Sequence, residues 1–291
     1  MLPWVESDGT GVQMPHVGAI EHSHHLVDGV RVHCAEAGEG PPLVLLHGWP
    51  QHWWSWRDLI GPLSQRYRVI CPDIRGMGWS DVPREGYGVR RLATDLFRLL
   101  DVLGHERVRL VGHDWGLLIG YAAAFARPDR IERFVPLGGV TPWSAIGAPP
   151  RLYVRPWHVY LLATPAGPSL AYATARNRLG AWRASGRFSD EEMEAYSAPL
   201  RRPDGLVATV ERDREIVRRE IPYFVRHAKR HRLRVRTLHL NGEHDPLTQG
   251  TPNSYRRFAD DMRLELVPGS GHFIAEEQPQ WLLDRLTEFL G

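Results

Sequence analysis

Short apolar runs alternate along the chain with longer stretches in which apolar residues recur every three or four positions, and the two patterns predict strands and helices in turn. Val30-Arg31-Val32-His33-Cys34 alternates as a strand, and Gly38-Glu39-Gly40-Pro41-Pro42 breaks it ahead of Leu43-Val44-Leu45-Leu46, which reads as a buried strand. Trp53, Trp54 and Trp56 open an amphipathic helix to about Leu63, and Arg68-Val69-Ile70-Cys71 is the next strand. Leu92, Leu96, Leu99, Leu100 and Leu103 have helical spacing over residues 90–103, before the strand Val108-Arg109-Leu110-Val111. A helix over 117–124 and a strand over 131–137 follow. The strand pattern stops near residue 141 and resumes at 237–240 and 263–267, and a last helix runs from about 278 to 290. This alternation predicts an α/β fold with a mostly parallel, doubly wound sheet, whose ligands sit beyond the carboxyl ends of the strands.

Residues 143–236 are different in kind. They carry helical periodicity and several prolines, with 17 Arg and one Lys against nine Asp or Glu, so the stretch is +9 and the remainder −7. It reads as a helical cap inserted into a core made of residues 1–142 and 237–291. Its charge could steer an anionic substrate, although solvated helix faces account for it more simply. The whole chain, 291 residues, 43% hydrophobic and +2 at neutral pH, can bury a large core and has no charge excess that asks for nucleic acid or a membrane surface. Cys34 and Cys71 lie in apolar, strand-like settings and read as buried thiols. With no apolar leader in residues 1–30 and no long apolar segment elsewhere, a soluble, cytoplasmic protein is expected.

The chemistry gathers in the loops after the strands. Gly112-His113-Asp114-Trp115-Gly116 joins a strand to a helix, and the two glycines allow a turn tight enough to project one side chain above the sheet. Here that side chain is Asp114. His47-Gly48-Trp49-Pro50 forms a second turn whose backbone N–H groups can face an anion, and its Trp-Pro bond is of the kind that can be cis. Asp73 and Arg75, two apart in the Gly-rich loop to Ser80, are expected to tie that loop to its neighbours. Asp114, Asp245 and His272 each follow a strand, in the order nucleophile, acid, histidine.

Taken together, His47-Gly48-Trp49-Pro50, Asp73-x-Arg75-Gly76-x-Gly78-x-Ser80, Gly112-His113-Asp114-Trp115-Gly116 and Gly271-His272-Phe273 resemble motifs of the α/β-hydrolase superfamily. The nearest resemblance is to its epoxide hydrolase and haloalkane dehalogenase branch, and within that to soluble epoxide hydrolases. A carboxylate attacking an ester carbonyl would form an anhydride, which is uphill, whereas attack on a saturated carbon bearing a good leaving group gives a stable alkyl ester. The resemblance implies that Asp114 is the nucleophile, His272 the base that activates water against the ester, and Asp245 the acid that orients the imidazole. It also implies an oxyanion hole from the backbone N–H groups of Trp49 and Trp115. Glu243 is the rival to Asp245, and its place in the loop favours Asp245.

The leaving group is less defined. Haloalkane dehalogenases usually carry Asn where this chain has Trp49, as epoxide hydrolases often do. Alignment on Trp157-His158-Val159-Tyr160 puts His158 where the family has its first cap tyrosine, and alignment on Arg219-Glu220-Ile221-Pro222 puts Asp213 where it has the second. His158 is the first candidate proton donor, Tyr160 and Tyr153 are alternatives, and Asp213 could serve only if burial kept it protonated. Fluoroacetate dehalogenases are similar at Trp157-His158 and Tyr160, but bind the carboxylate through arginines after the nucleophile, where this chain has Trp115 and Leu118. Trp49, Trp53, Trp54, Trp115, Trp143 and Trp157 point to an apolar or aromatic small-molecule substrate, with several of them core. A pocket of Trp49, Trp115, Trp157 and Asp213 is expected, with no cofactor and no metal ion. A homodimer is compatible with this reading. The expected activity is epoxide hydrolysis to a vicinal diol; the alternatives are a haloalkane dehalogenase, and a ligand-binding or specialised-metabolism protein that reuses the pocket.

Overall fold

The computed structural model describes residues 4–5, 13–144, 146, 157–164, 166–167, 188–202, 204–246, 248 and 254–291, with the backbone alone at 4, 5, 157, 158 and 162. A short antiparallel pair, β1 (Trp4–Val5) and β2 (Met14–Pro15), stands apart from the main sheet. That sheet is built from β3 (Glu21–Val27), β4 (Val30–Ala37), β5 (Pro42–Leu46), β6 (Arg68–Pro72), β7 (Val108–His113), β8 (Ile131–Leu137), β9 (Arg236–Gly242) and β10 (Met262–Val267). Its strand order is β10-β9-β8-β7-β5-β6-β4-β3, parallel from β10 to β6 and antiparallel beyond.

Strand β3 has no counterpart in the apolar pattern. Its sequence alternates with histidines instead of aliphatic residues: His22 stacks on His33 at 5.2 Å between ring centroids and meets Trp53 edge-on at 4.8 Å. Imidazoles do this work where a hydropathy pattern looks for Val or Ile.

The core lies on both faces of the sheet. Val44 and Leu46 of β5 point into one face, with Leu96, Leu100, Tyr121 and Phe134, and Leu43 and Leu45 into the other, with Leu59, Leu282 and Leu286. Helices α1 (Arg57–Ser64), α2 (Val89–Val102), α3 (Trp115–Ala126), α8 (Ile274–Glu277) and α9 (Pro279–Leu290) cover them. Of the six tryptophans, several of them expected to be core, three are core. Trp53, Trp54 and Trp143 are fully buried, and the Trp143 indole N–H donates to the Ala228 carbonyl at 2.9 Å.

Between β8 and β9 the described elements are helical: α4 (Trp157–Leu162), α5 (Asp190–Ser197), α6 (Val207–Glu215) and α7 (Ile221–His227), with a π-helical turn at Ile216–Glu220. A capping box starts α5: the Ser189 hydroxyl accepts the Glu192 N–H, and the Glu192 carboxylate accepts the Ser189 N–H. Polar contacts tie these helices to the core. Arg57 pairs with Glu192 at 2.8 Å, and the Trp49 indole N–H donates to Thr209 Oγ1 at 3.0 Å.

Candidate active site

The sheet's strand order reverses direction between β5 and β7. The chain leaves β5 for β6 on one side and returns to β7 on the other, and this opens a crevice beyond the carboxyl ends of the two strands. In register, Leu46 of β5 faces Gly112 of β7, so the turns that follow both strands meet there. The contact is too close for side chains. A Cβ on Gly112 would collide with the Gly116 carbonyl, one on Gly116 with the Leu46 carbonyl, and one on Gly48 with Asp114 Cβ. Asp114 itself has φ 51° and ψ −106°, strained backbone that lifts its carboxylate out of the sheet.

Asp114 Oδ1 accepts the Trp49 N–H at 3.0 Å, and Oδ2 lies 3.5 Å from His272 Nε2. His272 Nδ1 lies 3.1 Å from Asp245 Oδ2, and Asp245 is fully buried while the Asp114 side chain is 24% exposed. Burial would lower the His272 pKa, but the carboxylates of Asp114 and Asp245 on either side of the ring, the second hydrogen-bonded to Nδ1, raise it to about 9. Burial would likewise raise the Asp114 carboxyl; His272, His113 and the Trp49 N–H override it and hold the group well below the usual carboxylate range. The resting pair is therefore carboxylate against imidazolium. An arrangement of this kind can attack a saturated carbon and then hydrolyse the ester it forms, since esterification removes one of the two charges that keep His272 protonated.

The family profile described as alpha/beta hydrolase fold matches residues 41–279. The chain belongs to the α/β-hydrolase family. This hydrolase is 27% identical over 287 residues to the soluble epoxide hydrolase of Corynebacterium sp. (strain C12), covering 94% of this chain and 98% of that one. It is 27% identical to epoxide hydrolase 4 of Homo sapiens over 281 residues, 90% of this chain and 76% of that protein. Among solved structures, the epoxide hydrolase CorEH superposes with a TM-score of 0.75 at 26% identity over 93% of this chain and 98% of that one. These relatives put the hydrolase on the epoxide hydrolase branch of the family.

The other expected residues fall out as follows. Glu243 is exposed, accepting the Gly269 N–H at 2.9 Å, and is not near His272 through any hydrogen bond. Trp115 opens α3 directly after Asp114. Asp73 is fully buried and accepts the Trp53 and Trp79 N–H groups at 2.8 and 2.9 Å, and Arg75 grips Asp95 through two bonds of 2.6 and 2.8 Å; both tie the loop down. Trp157 and His158 lie on α4 with side chains outside the described residues, as does all of Tyr153, and Tyr160 is exposed on the same helix. Asp213 is buried on α6. Among the described residues no group of three or more His, Cys, Asp or Glu is arranged to hold a metal ion, and no helix is long and apolar enough to cross a membrane.

Two features of the site escaped the sequence pattern. Behind His272, the His113 Nε2–H meets the His272 carbonyl at 2.9 Å, His113 Nδ1 lies 2.9 Å from the Gln51 amide, and Gln51 Nε2 donates to Glu276 at 2.5 Å. Burial lowers the His113 pKa to about 4, and burial raises Glu276 to about 7 despite Arg57, Tyr196 and Gln51. Above Trp115, α6 turns inward the polar residues Thr209 and Arg212, both buried, beside the expected pocket residue Asp213, which is buried too. Spacings of three and four in that run put them on one helix face, which is the signal that was available.

Proposed function

We propose that the protein is an epoxide hydrolase that opens a small-molecule epoxide through an alkyl ester on Asp114 and releases a vicinal diol. The observation that carries this reading is the nucleophile's identity and setting: an aspartate, not a serine, at the strained elbow, with Oδ1 fixed by the Trp49 N–H and Oδ2 turned to His272. In this reading Oδ2 attacks an epoxide carbon and the C–O bond opens. The alkoxide takes a proton from the helices between β8 and β9, acting as the cap over residues 143–236, where His158 and Tyr160 on α4 are the candidate donors. With the Asp114 charge gone, His272 passes its extra proton through water to the deprotonated donor, and the neutral ring then takes a proton from a second water as that water attacks the Asp114 carbonyl carbon. The N–H groups of Trp49 and Trp115 hold the tetrahedral oxyanion, Asp245 holds the imidazolium, and collapse returns the Asp114 carboxylate and the diol.

The test uses His272→Gln, which removes the base while leaving the nucleophile. Incubated with a panel of alkyl and aryl epoxides, it is expected to gain the mass of one epoxide, located on the Asp114 peptide. Adducts from haloalkanes alone would instead favour the dehalogenase, and a folded variant that gains mass from neither panel would count against Asp114 as nucleophile.

A further inference from the structure

Arg212 has no role in the reaction just described, and its setting demands one. Its side chain is 1% exposed, on the face of α6 that looks toward the elbow. The guanidinium lies over the Trp115 ring, with Cζ 5.3 Å from the centroid, and Nη2 donates to Thr209 Oγ1 at 3.3 Å. Thr209 is the residue that receives the Trp49 indole N–H, so the cation sits over Trp115 and is linked through the Thr209 hydroxyl to Trp49. Its Nε and Nη1 have no hydrogen-bond partner among the described residues. A guanidinium taken out of water needs its donors met, and leaving two of them open is costly unless something arrives to meet them. Asp114, Asp213 and Tyr87 lie close enough to act on its charge, but none of them is bonded to those two nitrogens.

We propose that Arg212 recognises a carboxylate on the substrate, so that the compound opened at Asp114 is an epoxide carrying an acid group beside or near the ring. This rests on the epoxide reading above and narrows its substrate class from apolar to anionic and apolar together. A monoanion suits the place. One guanidinium can offset one added negative charge beside the Asp114 carboxylate, whereas a phosphate dianion would leave a net repulsion against the nucleophile. The aromatic faces of Trp49 and Trp115, both nearly buried, receive the rest of the molecule. The +9 charge of residues 143–236 favours the approach of an acid.

The test compares wild type, Arg212→Met and Arg212→Lys on phenylglycidate and on β-methylstyrene oxide, in which a methyl group stands for the carboxylate. The ratio of kcat/KM, acid over neutral, is expected to fall about 30-fold or more in Arg212→Met and to recover partly in Arg212→Lys. Calorimetry with phenylpropanoate and phenylpropanamide needs no chemistry at Asp114. The acid should bind wild type about tenfold or more tightly than the amide, and lose that advantage in Arg212→Met. An unchanged ratio, an equal fall for both epoxides, tighter binding of a phosphate analogue than of the acid, or equal binding of acid and amide to wild type would each overturn the proposal. If Arg212→Met does not fold, the wild-type acid-to-amide preference and Arg212→Lys decide it. Failure of the ester trap with a surviving acid preference would overturn the epoxide reading and leave the anion site standing.

Discussion

The loops at the sheet's edge and the helices between β8 and β9 hold their polar groups in opposite ways. At the edge Asp73 and His272 are each held from more than one side. Asp73 alone takes two backbone N–H groups and the His33 ring, and His272 faces a carboxylate on either side. In α6 a buried guanidinium keeps two nitrogens open, and the next element is a π-helical turn, a departure from regular helix found often at functional sites. Redundant bonding fixes a geometry that must not vary, while open donors are of use only when a ligand completes them. The edge accordingly reads as the part that defines the reaction, and the helices above it as the part that defines what reacts.

Breaking the edge should cost most. Asp114→Asn, which keeps the side chain's shape and tolerates the elbow's positive φ, is expected to lower kcat by about ten-thousand-fold or more with an unchanged circular-dichroism spectrum. Asp245→Asn removes the orienting charge behind His272, and should slow ester hydrolysis by about a thousandfold while ester formation continues, so that burst kinetics expose the intermediate. A smaller effect is a pH dependence of stability. His272 is raised to about 9 in the folded protein from an ordinary value near 6.5, so its contribution is complete below pH 6.5 and is lost as pH rises through about 9. Chemical denaturation should show a loss on the order of 3 kcal/mol across that window, absent in His272→Gln. Asp114 and His272 are one ion pair, and the loss is counted once. The smallest effect belongs to the upper helices: Thr209→Val removes the acceptor of the Trp49 indole, and should cost about 1 kcal/mol of stability and change kcat/KM about tenfold, mostly through KM.

The same contrast explains what the sequence made readable. Strand, turn and helix around Asp114 are consecutive in the chain, and the glycines that shape the turn have no substitute, so the elbow and the loops of Asp245 and His272 are written locally. Asp73 and Arg75 were readable as ties for the same reason. Arg212 was not, because an arginine in a charge-rich helix is ordinarily solvated, and only the packing of α6 over Trp115 buries it. Trp53, Trp54 and Trp143 were readable only as a group: an indole fills a core as readily as it lines a pocket, so several of the six tryptophans could be expected in the core without its being plain which, and these three fill it. Strand β3 was hidden because His22 meets the inner layer where an aliphatic residue was sought.

The glycine contacts beneath the elbow bear on how such a protein could change its trade. Gly112 and Gly116 press against carbonyls, and Gly48 against a Cβ that every residue but glycine shares. The tightest of these contacts are therefore with atoms that do not depend on which functional group stands at position 114. A lineage, or a laboratory library, can exchange that group and the residues of α4 and α6 while leaving Gly48, Gly112 and Gly116 untouched, and so pass from one chemistry to another without first inventing a new scaffold.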